Sequence, residues 1–176
     1  DPALTPSAPP VSSSFPSVAS PDGMVKLFPG TVSAMRVWLM HDRSFVEPKN
    51  KWGDGPWQTE PDMAAWQYAG SHCLLLRNSY GAWCGYVGLK EGHPLVGQPL
   101  CAFMFLMEPH GGVTWSGRFD SELPELATPH DVVWWLGFDC GHAGDFPPGV
   151  PVFRLHRDLF PEYRDMLFAR TEVELM

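Results

Sequence analysis

Three histidines in this chain stand beside glycines at the ends of strand-like runs. Gly88-Leu89-Lys90-Glu91-Gly92-His93 and Gly137-Phe138-Asp139-Cys140-Gly141-His142 share the pattern G-[LF]-x-x-G-H, and His110-Gly111-Gly112 precedes the strand-like Val113-Thr114-Trp115. Glycine tolerates positive φ and close backbone approach, so a loop that contains it can turn a side chain inward. The densest segment is Asp139-Cys140-Gly141-His142-Ala143-Gly144-Asp145, a D-x-x-H-x-x-D string with a carboxylate on either side of one imidazole. Imidazole and carboxylate are the usual ligands of a catalytic zinc, which has three protein ligands and an open position for water. The expected ligands are His93, His110 and His142, with Asp139 or Asp145 completing or orienting the set. Glu91, two residues before His93, is the expected general base on the bound water, whose pKa a metal lowers to about 7. Mixed imidazole and carboxylate ligation suits zinc first, and also manganese or iron. The spacing matches no named motif such as H-E-x-x-H.

The same residues carry other readings. Cys140 lies inside the string, and a thiol activated by His142 or His110, with Asp139 or Asp145 orienting the imidazole, would make a cysteine-dependent hydrolase. A third reading is a non-catalytic binding module, with Asp139 and Asp145 capping turns through loop amides and the histidines serving as scaffold. Trp57 and Trp115 are the aromatics expected to wall a substrate pocket, with Arg118 lining it. Lys49, Lys51 and Arg77 read as surface charges. His41, His72, His130 and His156 lack the glycine context and read as structural or solvent-facing.

These groups need a scaffold, and the composition describes one. A length of 176 residues suits one domain, and 44% apolar against 18% charged residues predicts a folded core. The 19 Pro and 17 Gly are too many for a helical bundle and favour short elements joined by ordered loops. The expected fold is α+β, a single domain over 23–176, mostly antiparallel sheet with a few short helices and a C-terminal helix. Residues 1–22, rich in Pro, Ser and Ala, read as an extended arm. Strands are expected at 35–40, 73–78, 82–89, 113–115 and 132–138, the second and third joined as a hairpin through Ser79-Tyr80-Gly81. Thr59, Pro61 and the acids around them predict a short helix over Glu60–Trp66, and 161–176 reads as the closing helix. The apolar Cys101–Met107 segment reads as a strand or a hydrophobic lid.

A formal charge of −8, with no cluster of Lys or Arg, argues against nucleic acid as a partner. The chain has no run of about 18 apolar residues to span a membrane. The four cysteines form no C-x-x-C pair and read as reduced thiols in a cytoplasmic setting. A small-molecule substrate is the expected partner.

The ordered combination GPW-x-x-EPD at Gly55–Asp62, CGYVG-x-x-EGHPL at Cys84–Leu95, HGG-x-T-W at His110–Trp115 and WW-x-GFDC-x-HAGD at Trp134–Asp145 resembles one family. It is similar to a widespread group of hypothetical proteins of bacteria and their phages, over roughly 55–175, and Tyr163-Arg164-Asp165 fits as well. The resemblance implies one intact domain and a bacterial or phage-infected cell, and it picks out Glu91, His93, His110, Asp139, His142 and Asp145 as the polar signature. It implies no reaction.

Overall fold

Ser71–Arg77 (β3) and Trp83–Lys90 (β4) pair antiparallel across a tight turn, with Leu76 opposite Cys84 and Arg77 opposite Trp83. Asn78 closes that turn by accepting the amides of Tyr80 and Ala82 on its Oδ1, at 2.9 and 3.1 Å. This hairpin is the centre of a computed structural model that describes residues 38–40, 46–103, 106–119, 130–151 and 161–176. Trp38–Met40 (β1), Met63–Tyr68 (β2), Trp115–Gly117 (β5) and Val132–Asp139 (β6) complete a six-stranded sheet in the order β1-β2-β3-β4-β6-β5, every pair antiparallel. Met166–Glu174 (α1) is the one α-helix among the described residues. The expected α+β architecture is therefore observed. The expected arm at 1–22 lies outside the described residues.

Register decides which side chains meet. Leu39, Ala64, Leu75, Gly85 and Phe138 form one row across five strands, and Trp66, Cys73, Val87 and Leu136 form the next row on the same face. This face is the core, and α1 covers it through Ala169 and Val173. A Cβ on Gly85 would lie 2.4 Å from Phe138 and 2.5 Å from Val173, so only glycine lets the helix settle this closely on β4. The opposite face gathers Met63, Ala65, Leu74, Leu76 and Trp135 beneath Tyr86, Trp115 and Phe119.

The helix expected over Glu60–Trp66 is not formed. Its second half is β2, preceded only by a 3-10 turn at Pro56–Gln58. Met63 to Trp66 are all buried, alternating between the two faces, and β2 pairs with β3 along its whole length. A one-turn helix would forfeit those ladder bonds and expose half of that apolar surface, which outweighs the cap signals. The Thr59 hydroxyl bonds back to the carbonyl of Pro56 instead of capping forward. At the start of the Cys101–Met107 segment, residues 100–102 form a 3-10 turn and Phe103 is buried behind it, while 104–105 lie outside the described residues. The closing helix starts at Met166, later than expected, because Asp165 caps it by accepting the Phe168 amide at 2.8 Å.

Arg77, expected on the surface, is buried to 2% exposure. Its Nη2 donates to Glu60 Oε2 at 2.5 Å and to the Tyr163 hydroxyl at 2.8 Å. Nη1 and Nε reach the carbonyls of Gly81 and Pro61, and the guanidinium lies 4.2 Å over the Trp83 ring. Glu60 Oε2 also accepts from the Tyr163 hydroxyl and from Trp83 Nε1, while Oε1 takes the Met166 amide at 3.0 Å. One ion pair thus ties the segment before β2, the β3–β4 turn and the first turn of α1. Glu60→Ala removes charged hydrogen bonds from a buried guanidinium that keeps Asp62 3.5 Å from its Nε, so it should cost about 1.5–3 kcal/mol in urea denaturation. A loss below about 1 kcal/mol would show that the pair does not hold these segments.

Candidate metal centre

His110 sits in a turn just before β5, where the Gly112 amide bonds the Pro109 carbonyl at 2.7 Å and the Thr114 amide reaches the Gly137 carbonyl at the end of β6. His142 follows β6 in a second turn, closed by the Asp145 amide on the His142 carbonyl at 2.9 Å. Because β5 runs antiparallel to β6, with Trp115 opposite Gly137, the start of one and the end of the other share an edge of the sheet. The two imidazoles consequently lie with ring centroids 5.4 Å apart at 75°. Gly111, at φ +71°, passes beneath the His142 ring. A Cβ there would fall 2.2 Å from His142 Cε1, so both the conformation and the contact require glycine.

Asp145 joins them from below. Its Oδ2 accepts from His110 Nε2 at 2.8 Å and from the His142 backbone amide at 2.9 Å. Its Oδ1 accepts from Arg164 Nε at 3.0 Å. Arg164 is delivered by a short parallel bridge in which the Phe146 amide bonds the Glu162 carbonyl and the Glu162 amide bonds the Gly144 carbonyl. The arginine then lies 4.8 Å over the Phe168 ring. From α1, Glu172 Oε2 accepts the His110 amide at 2.7 Å, and Phe168 meets the His110 ring at 5.2 Å. Burial alone would raise the pKa of Asp145, but the bonds from His110, Arg164 and the His142 amide more than offset it and hold the carboxyl below its ordinary range.

His142 Nδ1 is buried without a hydrogen-bond partner, 3.7 Å from Asp145 Oδ2. One ligand atom from each of His110, His142 and Asp145 lies within 4.8 Å of the other two. Among the described residues this is the group of imidazoles and carboxylates that could hold a metal ion.

The expected membership changes in three respects. His93 and Glu91 are not brought to this group. They lie on an exposed turn after β4, where His93 Nδ1 accepts the Leu95 amide at 3.2 Å. The shared G-[LF]-x-x-G-H pattern misled for a topological reason: β4 and β6 are antiparallel neighbours, with Cys84 opposite Asp139 and Lys90 opposite Val132. The loops that follow them leave from opposite edges of the sheet. Asp139, in turn, spends its two oxygens on the Gly141 amide and the Thr114 hydroxyl, closing the loop, and Asp145 is the carboxylate that meets the two histidines. Finally, the expected pocket trio is dispersed. Trp57 is buried against Phe146 and Tyr163, Trp115 packs with Tyr86 and Phe119 on the other sheet face, and Arg118 is exposed.

Cys140 is 3% exposed, and burial together with the nearby Asp145 pushes its thiol far up. It is protonated and shielded at neutral pH, the reverse of an activated nucleophile. Arg164 and Glu172, which orient the group, carry no signal of their own in the sequence beyond lying in the 161–176 segment. A buried carboxylate next to a histidine pair demands a cation, and Tyr163-Arg164-Asp165 was the run that contained one.

No family model, no curated protein and no solved structure matches the chain, so the resemblance to bacterial and phage proteins rests on its four motifs.

Alkylation of the folded protein near pH 8, read by mass spectrometry, should label the exposed Cys101 first and reach Cys140 only on unfolding. Rapid labelling of Cys140 in the native state would revive the thiol mechanism. For Asp145, the depressed folded pKa means that the unfolded chain binds more protons, so its contribution is present above the unfolded value of about 3.9 and is lost as pH falls through the folded one. Asp145→Asn should thus lower the urea midpoint at pH 7, with the gap to the parent narrowing below about pH 4. A gap independent of pH would mean that Asp145 contributes by shape alone.

Proposed function

We propose that this protein is a metal-dependent hydrolase of an ester, amide or phosphoester in a small molecule, with His110, His142 and Asp145 as ligands. The observation that carries the reading is the convergence of these three groups, with His142 Nδ1 buried and unpartnered beside the Asp145 carboxylate. Bonds of about 2.0–2.1 Å to a tetrahedral zinc put ligand atoms roughly 3.3 Å apart. The separations here, 2.8 Å for His110 to Asp145 and 3.7 Å for His142 to Asp145, straddle that value. Binding asks His110 to exchange its hydrogen bond to Asp145 for the metal, within a set whose ligand atoms all lie within 4.8 Å of one another. Arg164 on Oδ1 fixes the carboxylate so that Oδ2 remains the ligand atom. The two imidazoles are partly open to solvent, as a centre that admits water and substrate needs.

Three protein ligands leave a position for water, which the metal would acidify into a nucleophile near neutral pH. Glu91, on a remote exposed turn, would not serve as the base at this site. Zinc is the first choice, and manganese or iron also suits two imidazoles with one carboxylate. A cytoplasmic setting in a bacterial or phage-infected cell, and the absence of a nucleic-acid or membrane partner, belong to the same proposal. Among the described residues no helix is long and apolar enough to cross a membrane.

The 2.8 Å His110–Asp145 bond supports a second reading, a metal-free general base in which the carboxylate orients the imidazole and stabilises the cation formed when the ring accepts a proton. Both are tested by assaying metal-loaded protein on chromogenic esters, amides and phosphoesters, with and without chelator, alongside His110→Ala and His142→Ala. The metal reading expects chelator and either variant to lower turnover by about 100-fold or more. Activity that survives chelator and His142→Ala but not His110→Ala would favour the metal-free base. Metal bound with no turnover on any substrate would favour a binding module.

A further inference from the structure

The sheet face covered by α1 is not filled to its far end. Cys73, Val87 and Leu136 stand opposite one another on three adjacent strands, and Leu89 follows on the same face. With Val173 near the end of α1 they border a cavity of about 280 Å³. None of the three proposed metal ligands lines it. His93 does, and it lies beyond Lys90, at the end of β4 away from the Cys84–Asp139 pairing that leads to His142. The volume is close to the lower end of small-molecule pockets, roughly 300–1,000 Å³. At about 30 Å³ per water it has room for roughly nine waters, or a ligand of about ten non-hydrogen atoms.

The polar groups of the wall restrict what can enter. Glu174 lines the cavity, but its Oε1 already receives Trp66 Nε1 at 3.1 Å and Arg170 Nε at 2.7 Å, so its charge is balanced within the protein. A carboxylate ligand would meet that anion and a chain of formal charge −8. An ammonium would find the Glu174 charge already offset by the ion pair with Arg170 at 2.7 Å. His93 accepts the Leu95 amide on Nδ1, so the neutral ring carries its proton on Nε2 and offers a donor. The Cys73 thiol is held protonated by burial, which pushes it up to about 12, and adds no charge to the wall.

We propose that this cavity is a binding site for a neutral molecule with an apolar body and a carbonyl head, such as a small amide or ester, which takes a hydrogen bond from His93. His93, singled out by the sequence as a metal ligand, then serves a site of its own at the opposite edge of the sheet. This inference does not depend on the metal reading.

Calorimetric titration of the full chain with octanamide, octanoate and octylamine, which share a body and differ in the head, tests it. Octanamide should bind one-to-one and at least about tenfold more tightly than either charged analogue. His93→Ala should weaken octanamide about fivefold, the size of one net hydrogen bond. Met107→Trp, at the cavity wall, should abolish binding while circular dichroism shows the fold retained. No binding of octanamide at millimolar concentration, equal binding of all three, or binding unchanged in both variants would overturn the proposal.

Discussion

A guanidinium cannot sit at 2% exposure without a full set of acceptors, and the arrangement of this molecule follows from supplying them to Arg77. The acceptors are Glu60, the Tyr163 hydroxyl and the carbonyls of Pro61 and Gly81, drawn from three separate parts of the chain. Glu60 then uses its other oxygen on the Met166 amide, so the ion pair also marks where α1 begins. Once Tyr163 and Met166 are fixed, their neighbours have little choice. Arg164 meets Asp145, Phe168 meets the His110 ring, and Glu172 holds the His110 amide. The polar knot is therefore the physical link between the sheet and the histidine loops.

Much of the sheet was legible because its signals are local. The β3–β4 hairpin has two short apolar runs around an Asn-containing turn, and Val132–Asp139 is an apolar run too short for a helix core. The segment from Met63 to Trp66 was not legible, since its strand character comes from pairing with β3 rather than from its own residues, which are good helix formers. The burial of Arg77 was hidden for a related reason: its partners lie 17 and 86 positions away in the chain.

The site shows the same division. His110, His142 and Asp145 were among the expected residues, and their glycines do what glycine was expected to do, as Gly111 beneath His142 demonstrates. Which histidines meet was decided by strand direction. In an antiparallel sheet the end of β4 and the end of β6 point opposite ways, so His93 and His142 had to separate, while the start of β5 had to join the end of β6. Counting strand directions from the hairpin outward would have removed His93 and Glu91 from the ligand set. Asp139 and Asp145 differ by burial: the first closes a half-exposed loop, and the second is 3% exposed with three donors converging on it.

Calorimetric titration of metal-free protein with zinc, for the parent chain and His142→Ala in parallel, reaches the central claim most directly. Ligation by His110, His142 and Asp145 predicts uptake of about one equivalent by the parent and loss of at least tenfold in affinity in the variant. A folded parent that takes up no zinc, or a variant that takes it up equally well, would contradict the account.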